Sequence, residues 1–395
     1  MKIDIVVLDE NKCDMDRFYP FSILHPIFEI RYGAFRYFER IAKLFPYAKM
    51  QFIGREKHIQ SFLERFNLIN ESVDITFQGA TLTLNCNALI TTEIVETISK
   101  LIDGNYYILA NGIDIAEIDF DSSLPYKTIE VETQSYDSIW DLLYINNDAI
   151  NSDVKLFQNS KIDETKYPGV YFINKENIYL GDNVSIKPGC VLDATDGSII
   201  IGDEVTLMPQ ATIIGACHIA ANTTLKVGAK IYEKTSIGEW CKIGGEIENS
   251  IIQSYSNKQH EGFLGHSFLS EWVNLGADTN TSDLKNTYSN IELRIDKKLI
   301  VTNKMFIGLF CGDHTKSAID SQFTTGTMAG ICGVLVNTGF FPNFIPSFAW
   351  GGKLGSPIYK ISKALETAHT VAKRRNKKLT PTEIELIELE YERSK

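Results

Sequence analysis

The sequence has no paired-cysteine motif, no long apolar run and fewer positive than negative charges. Its seven cysteines are widely spaced and form no CxxC pair, so we expect reduced thiols in a cytoplasmic protein. No apolar stretch approaches the ~20 residues of a membrane helix. The early charges of MKIDIVVLDENK argue against a signal peptide. A formal net charge of −11 repels phosphate backbones and disfavours nucleic acid as a partner.

One basic cluster stands out against this acidic background, KRRNKK at 373–378. Cations are favoured at the C-terminus of a helix by the helix dipole, and that is the simplest interpretation. A binding patch is the alternative. The 395 residues, 44% hydrophobic and 23% charged, are those of a globular chain of two or three domains.

Residues 1–155 alternate between strand-like and helix-like segments. The predicted strands are KIDIVVLD, KMQFIG and ATLTLN, and the predicted helices are YGAFRYFERIAKLF, EKHIQSFLERFN and TTEIVETISKLI. Such alternation is typical of an α/β domain with a largely parallel sheet.

From about residue 170 a six-residue repeat of aliphatic side chains replaces this alternation. Neither a helix nor a strand produces that period; it is the signature of a parallel β-helix with three flat sides per coil. Insertions are expected at 253–262 and 278–305, and TPTE (380–383) predicts a capping box with Pro381 at the first helical position. The repeating aliphatics are Leu180, Ile186 and Leu192 and, after a three-residue slip, Ile201, Leu207, Ile213, Ile219, Leu225, Ile231, Ile237 and Ile243.

The flat polar sides of such a solenoid can form a pocket only where two prisms or an inserted loop meet. A site on the prism therefore predicts a closed oligomer, most simply a homotrimer. The stretch HEGFLGHSFLSEWVNLGADTNTSDLKN (260–286) interrupts the repeat with histidines and small polar side chains. His260 could take a proton from an amine or hydroxyl near neutral pH, or it could be an ordinary surface histidine. His266 and His314 are open to the same two interpretations.

In this stretch the sequence resembles the bifunctional bacterial enzymes that make UDP-N-acetylglucosamine. They join a sugar-phosphate uridylyltransferase domain to a left-handed β-helix acetyltransferase. The family pattern H-x-x-Y-[LI]-G, followed by N-[IV]-G-A-G-T, is matched at the same separation by HEGFLG and NLGADT. The resemblance covers most of 1–335, is strongest over 225–290, and is closest to a divergent branch described as sugar-phosphate nucleotidyltransferases.

The resemblance implies roles for individual residues. His260 falls on the catalytic base, Asn274 on a residue that helps to hold the amino sugar, and Ala277 on a backbone position near the acetyl group. Phe263 replaces a tyrosine. An acyl carrier, acetyl-CoA or another acyl-CoA, would lie between two prisms along the loops near Gly308 and Gly326.

The chain departs from the family where the sugar phosphate would bind. Of the A-R-L-R-P segment only Lys230 remains, in AKIYE, and a family lysine is replaced by Glu248. SDLKNTY (282–288) replaces N-Y-D-G, so Lys285 could restore a cation and Tyr288 a hydroxyl. The acceptor is therefore expected to differ or to bind differently.

The N-terminal segment departs further. The family's glycine-rich loop brings backbone N–H groups to the phosphates, but VVLDENKCDMDRFYPFSILHP has no glycine before Gly33. Asn87 stands where the family has the aspartate that binds Mg²⁺, and a neutral amide is a poor ligand for that ion. A role for Mg²⁺ is doubtful. Arg31 could meet a phosphate or be a solvated arginine at a helix entry.

Together these observations predict an α/β nucleotidyltransferase-like (Rossmann-like) domain over 1–160, a left-handed parallel β-helix over 170–340 and a helical tail over 355–395. The favoured function is acyl transfer from acyl-CoA to a sugar phosphate or nucleotide sugar. Two alternatives stay open: sugar-1-phosphate nucleotidyl transfer with UTP or dTTP, and a non-catalytic trimer that binds a nucleotide sugar.

Overall fold

The computed structural model describes residues 3–70, 80–101, 104–121, 123–158, 162–352 and 355–395. The domain boundary predicted at residue 160 lies outside these ranges. Within them, no helix combines the length and apolarity needed to cross a membrane.

The N-terminal part is a six-stranded sheet with helices packed against it, as predicted for an α/β nucleotidyltransferase-like domain. Its apolar core is continuous from the sheet to the flanking helices. The strands are β1 (Ile3–Asp9), β2 (Arg31–Tyr32), β3 (Phe35–Arg36), β4 (Lys49–Ile53), β5 (Ala80–Leu84), β6 (Asn105–Ala110), β7 (Ile113–Asp119) and β8 (Tyr126–Glu130), of which β2 and β3 form a separate ribbon. The helices are α1 (Tyr37–Leu44), α2 (Glu56–Phe66), α3 (Thr92–Lys100) and α4 (Ile139–Asp153).

The sheet is mixed, which corrects the expectation of a largely parallel one. Its order is β4-β1-β5-β7-β6-β8, and β7 runs antiparallel to both of its neighbours. The cause is the tight turn between β6 and β7, where Asn111 and Gly112 both have positive φ. An Asn-Gly pair in that conformation is a common two-residue hairpin turn, and it reverses the chain.

The C-terminal half is a parallel β-solenoid of the left-handed β-helix type, as the six-residue repeat predicted. Strand pairing joins each coil to the next at equivalent positions, for example Ile201 to Ile219 and Ile219 to Ile237. The repeating aliphatics are buried in the prism except Leu180, which is half-buried. Stacked aliphatic side chains of successive coils thus form one continuous core.

The three faces of the solenoid are built from short parallel strands. One face is a nine-stranded sheet: Ile178–Leu180, Ile199–Ile201, Cys217–Ile219, Thr235–Ile237, Ile251–Ile252, Phe268–Leu269, Leu309–Cys311, Thr327–Ala329 and Phe344–Ile345. The second contains Ser185–Ile186, Thr206–Leu207, Thr224–Leu225, Lys242–Ile243 and Asn257–Lys258, then Lys316–Ser317 and Val334–Leu335. The third contains Tyr171–Ile173, Val191–Asp193, Thr212–Ile214, Lys230–Ile231, Glu246–Glu248 and Phe263–Gly265, then Asn280–Thr281 and Gln322–Phe323.

The expected insertion at 253–262 is wrong, because the coils there are shorter rather than longer. Ile237 pairs with Ile252, and Ile252 pairs with Leu269. Each of these two coils contains fewer residues than the coil from Ile219 to Ile237. The true insertion follows Leu269, whose partner is Cys311. It contains the antiparallel hairpin of Glu292–Ile295 and Lys298–Val301.

The nine-stranded face packs directly against the N-terminal domain. Outward side chains of this face, Ile251, Phe268, Phe310 and Met328, belong to the same apolar core as β1 and α4, and the inserted hairpin adds Leu293 to it. The two halves of the chain therefore share a core.

The chain ends in the predicted helical tail, a hairpin of α5 (Ile361–Lys373) and α6 (Pro381–Arg393). The capping box is confirmed: the Thr380 hydroxyl accepts from Glu383 N, and the Glu383 carboxylate accepts from Thr380 N. On α5 the small residues Ala364, Ala368 and Ala372 are buried. Their spacing of four places them on one helical face, which packs inward.

A buried ion pair fastens α1 to α4. The Arg40 guanidinium donates to both carboxylate oxygens of Asp153 at 2.7 and 2.8 Å, and both side chains are about 1% exposed. Asp153 also accepts from Ala34 N at 2.8 Å. Removing the carboxylate would leave a buried, uncompensated guanidinium.

We predict that Asp153→Ala lowers the free energy of unfolding by ~3–5 kcal/mol, the usual cost of breaking a buried ion pair. Lys155→Ala is the control, since Lys155 pairs with Glu93 while half-exposed and should cost less than ~1 kcal/mol. Urea unfolding followed by tryptophan fluorescence measures both. Equal midpoints for the two variants would contradict the assigned role of Asp153.

Candidate functional site

The segments HEGFLG and NLGADT occupy neighbouring coils of the solenoid. Asn257 forms a parallel β-bridge with Asn274, and Phe263 N donates to the Asn280 side chain at 2.9 Å. The two residues of each pair are separated by the same number of residues in the sequence. That offset also places His260 beside Ala277, at one corner of the prism. Phe263 itself is half-buried on the adjoining face.

A buried lysine holds the backbone of this corner. The Lys258 ammonium donates to the carbonyl oxygens of His260 and Glu261 at 2.6 and 2.9 Å. Burial lowers the pKa of Lys258 to about 8, although the carboxylates of Glu261 and Asp278 favour its charged form. The fixed cation therefore sets the turn from which the His260 side chain projects.

The His260 imidazole is exposed and makes no hydrogen bond within the described part of the chain. Beside it, the Ala277 amide N–H likewise donates to no described residue, while the Ala277 carbonyl accepts from Asp320 N at 2.8 Å. The corner thus offers a free imidazole and a free backbone donor, one to accept a proton and one to stabilise an oxyanion.

Two other predicted site residues lie close to this corner. Lys230, two coils before His260, is half-exposed and 3.6 Å from the Glu261 carboxylate. Asn274 is held through its backbone, with its N–H bonded to Thr315 O at 3.0 Å. Lys230 is therefore partly neutralised before any phosphate arrives.

Lys285 and Tyr288 are in the insertion that follows Leu269. The Lys285 ammonium donates to Asn290 O at 3.0 Å and lines a cavity of about 760 Å³ beside the inserted hairpin. Tyr288 is 66% exposed. No contact joins either side chain to His260 among the described residues.

The structure corrects the expectation for Gly308 and Gly326. Both glycines are buried. A Cβ at Gly308 would lie 2.0 Å from Gly265 O, and one at Gly326 would meet Ile291 and Leu293 of the insertion. Because the chain itself covers both positions, neither presents a surface to an acyl carrier.

Neither expectation for Arg31 describes its position. Its side chain is 2% exposed and donates to the Glu239 carboxylate of the solenoid at 2.5 Å and to Ala34 O at 2.7 Å. Arg36 binds the same carboxylate at 3.0 and 3.2 Å. Arg31 therefore joins the two halves of the protein and is not available to a phosphate.

The ion network continues along the interface through side chains that the sequence did not single out. His25 contacts Asp313 at 2.8 Å and Glu29 at 3.2 Å, and against the effect of burial these carboxylates raise the pKa of His25 to about 10. Glu271 lies 3.6 Å from Arg36 and 3.7 Å from Arg65. Burial, with a contribution from Glu29, raises the pKa of Glu271 to about 7.

A second histidine has the orienting partner that His260 lacks. His266 Nδ1 lies 2.7 Å from Asp283 Oδ2, and the imidazole stacks on Phe306 at 5.0 Å. The sequence separation between His266 and Asp283 equals that between Phe263 and Asn280. A sequence analysis that had recognised the shorter coils after Ile237 would therefore have predicted that His266 and Asp283 are neighbours. The backbone N–H of His266 donates to Glu248 O, which places Glu248 at the opposite end of the strand from His260.

In the N-terminal domain, the edge where nucleotides bind in α/β folds is occupied by a carboxylate. Glu10 follows β1, is fully buried, and accepts from Ile27 N at 2.8 Å and Arg55 N at 3.1 Å. Ligands of open α/β sheets bind at the carboxyl ends of the strands. Here Glu10 takes the backbone donors that a phosphate would need.

Asn87 lies at the same edge of the sheet and is held there through its amide nitrogen. Its side-chain amide donates to Asp114 O at 3.1 Å. Across the described ranges, no group of three or more His, Cys, Asp or Glu side chains could hold a metal ion. Asn87 thus brings a neutral amide rather than a carboxylate to this edge, and such an amide is a poor Mg²⁺ ligand.

The fold and these two sites define a two-part protein of a recognisable class, a nucleotidyltransferase-like α/β domain joined to a left-handed β-helix. Comparison with known proteins agrees. Residues 5–162 match the family described as "Sugar nucleotidyl transferase".

The chain is also similar to proteins named "Bifunctional protein GlmU". It is 32% identical over 136 residues to that of Wigglesworthia glossinidia brevipalpis, covering 34% of this chain and 27% of the relative. For Synechococcus elongatus the identity is 34% over 109 residues, with 27% and 23% covered, and for Clostridium novyi it is 28% over 190 residues, with 47% and 36% covered. The chain thus spans about a quarter to a third of the length of these curated relatives, and the resemblance predicted from the sequence is confirmed.

We predict that Glu271→Gln raises the melting temperature relative to the wild type more at pH 8 than at pH 5. Because the folded-state pKa of Glu271 is raised, the wild type loses stability as pH rises from the usual glutamate range through about 7. The glutamine side chain of the variant cannot ionise, so the variant does not lose stability in this way as pH rises. Calorimetry of both proteins gives the difference. Glu261→Gln, at an exposed carboxylate, is the control. If the melting-temperature difference between Glu271→Gln and the wild type did not change with pH, the raised pKa assigned to Glu271 would be contradicted.

We also predict no Mg²⁺-dependent nucleotidyl transfer at the N-terminal edge, because Glu10 occupies the phosphate-binding amides and Asn87 provides no carboxylate. Release of pyrophosphate from four nucleoside triphosphates, each with common sugar phosphates, is the measurement. Robust metal-dependent turnover would refute the interpretation of this edge.

Proposed function

We propose that the solenoid transfers an acyl group from an acyl-coenzyme A, most simply acetyl-CoA, to a sugar phosphate or nucleotide sugar. The observation that supports this most is the pairing of His260 with Ala277 at one corner. There an exposed imidazole and an uncommitted amide N–H stand side by side, on segments that match the acetyltransfer pattern of the resembling family.

In the proposed reaction, His260 accepts the proton of the acceptor amine or hydroxyl as that group attacks the thioester carbonyl carbon. The carbonyl oxygen becomes an oxyanion, which the Ala277 N–H stabilises. The tetrahedral intermediate then collapses, the carbon–sulfur bond breaks, and the thiolate leaves with the proton that His260 had taken. Asn274, on the same coil as Ala277, is proposed to hold the acceptor.

The corner is open on one side in a single chain, and a second prism would close it. We therefore propose a homotrimer about the prism axis in a cytoplasmic enzyme. A single chain mass in sedimentation equilibrium at micromolar concentration would contradict the trimer.

Nucleotidyl transfer is the second candidate function, favoured by the family match over residues 5–162. The buried Glu10 carboxylate argues against it. A non-catalytic trimer that binds a nucleotide sugar would show ligand binding without turnover of acetyl-CoA.

We predict that His260→Ala lowers kcat by ~10²–10⁴-fold, the usual contribution of a positioned general base. The substitution is at an exposed side chain, so the assembly and the melting temperature should stay close to those of the wild type. Steady-state release of coenzyme A thiol with an active acceptor measures the effect.

His266→Ala is the matched comparison, since it removes an imidazole at the other end of the same strand. Full activity in His260→Ala together with loss of activity in His266→Ala would assign the base to the His266–Asp283 pair. In that case the proposed placement of the site is wrong.

A further inference from the structure

A cavity of about 210 Å³ lies where three parts of the chain meet: the α/β domain, a corner of the solenoid and the C-terminal helical hairpin. The solenoid contributes Tyr255, Glu271 and Trp272, whose side chains are buried or half-buried. The hairpin contributes Lys377 and Lys378, whose side chains are exposed. This junction cavity therefore has a buried floor and opens to solvent beside the hairpin.

Glu271 brings a buried carboxylate to the junction cavity without a hydrogen bond. The residue is 6% exposed, and its carboxylate accepts no hydrogen bond from any residue that the structure describes. Its nearest cations, Arg36 and Arg65, are 3.6 and 3.7 Å away, which is beyond hydrogen-bond distance. Buried polar groups in proteins are nearly always hydrogen-bonded. The Glu271 carboxylate is therefore a group that a ligand in the cavity could satisfy.

The two guanidinium groups of the cavity are held in place by other contacts. Arg36 donates to the Glu239 carboxylate at 3.0 Å. Arg65 donates to the Glu29 carboxylate. Both guanidinium groups also lie over the ring of Phe66, at 5.2 and 5.8 Å from its centroid. Because these contacts fix both arginines, their separation from the unbonded carboxylate is a feature of the folded cavity.

Two aromatic side chains form the solenoid wall of the cavity. Tyr255 and Trp272 lie at the same corner on successive coils, and their rings stack nearly parallel with centroids 4.2 Å apart. Within the described part of the chain, neither the Tyr255 hydroxyl nor the Trp272 indole N–H makes a hydrogen bond. The wall thus presents a hydroxyl and an N–H donor next to the unbonded carboxylate. A few convergent polar groups among aromatic side chains are typical of a small-molecule site.

The charges that line the cavity favour a neutral ligand. Four cationic and three acidic side chains line it. Glu64 already accepts from the Thr382 hydroxyl at 2.7 Å, and Glu383 accepts from Thr380 N at 3.2 Å. A hydroxyl group donates one hydrogen bond and accepts two, so it can donate to a carboxylate while it accepts from an N–H group. An ammonium group cannot accept, and an ionised phosphate oxygen cannot donate.

We propose that the junction cavity binds a neutral polyhydroxylated molecule of monosaccharide size. Its hydroxyls donate to Glu271 and accept from the Trp272 N–H and the two guanidinium groups, and the Tyr255 hydroxyl bonds a further one. A protein cavity of ~150 Å³ holds one benzene molecule, so a larger cavity that opens to solvent accommodates one sugar ring.

This site is distinct from the corner at His260. Tyr255 and His260 lie beyond opposite ends of the strand Asn257–Lys258, at different corners of the prism. His260 and Ala277 are not among the residues that line the junction cavity. The proposal therefore does not rest on acyl transfer, and either can fail without the other.

Saturation-transfer NMR and isothermal titration of the full chain at pH 8 test the proposal with D-glucose, D-galactose, D-mannose and D-ribose. At least one should bind with a Kd on the order of 1 mM, as suits a ligand of about a dozen heavy atoms. Glu271→Gln should weaken binding by about tenfold, because a neutral amide replaces the charged acceptor. Tyr255→Phe should weaken it by a similar factor through loss of the hydroxyl. Inorganic phosphate and L-alanine should not compete.

The matched controls are Glu261→Gln and Tyr288→Phe, which make the same changes at exposed side chains outside the cavity. Both should bind as the wild type does, and so should Lys377→Ala/Lys378→Ala, because the ligand is uncharged. Melting temperatures close to that of the wild type establish that the cavity variants are folded.

The proposal is overturned if none of the four sugars binds, or if Glu271→Gln and Tyr255→Phe both bind with wild-type affinity. Competition by phosphate, lost in Lys377→Ala/Lys378→Ala, would show an anion site instead. Loss of sugar binding in His260→Ala with retention in Glu271→Gln would place the sugar at the His260 corner and would also overturn the proposal.

Discussion

The carboxylate of Glu239 holds Arg31 and Arg36 across the interface between the α/β domain and the solenoid. A buried ion cluster costs free energy in desolvation, and it stabilises a structure only when its geometry is complete. Here Glu271, Arg65, Glu29 and His25 extend it along the nine-stranded face. Apolar packing joins the two halves, and the ion network sets their register.

In this arrangement the N-terminal domain packs against one face of the solenoid and covers it. Its core is shared with Phe268 and Phe310, and the edge that would bind a nucleotide is filled from within by Glu10 and Arg55. The opposite corner, at His260 and Ala277, stays open. In the nucleotidyltransferase-like domain, the backbone N–H groups that could bind a phosphate are therefore occupied by Glu10. At the solenoid corner, the backbone N–H of Ala277 makes no hydrogen bond to a described residue.

The solenoid could be predicted from the sequence because one aliphatic side chain every six residues has a single structural explanation. The antiparallel β7 could have been predicted from the Asn-Gly turn before Ile113. The ion network could not, because Arg31 and Glu239 are far apart in sequence and their pairing depends on how two domains dock. The His266–Asp283 pair was hidden by the shortening of the coils after Ile237, which shifts every register that follows.

The most direct test of the acyl-transfer account is a crystal structure of the protein soaked with acetyl-CoA and a panel of sugar phosphates. The account predicts the thioester carbonyl oxygen within hydrogen-bond distance of Ala277 N, with the acceptor amine or hydroxyl facing the His260 imidazole. Acetyl-CoA bound at the His266–Asp283 pair, or in the N-terminal domain beside Glu10, would contradict it.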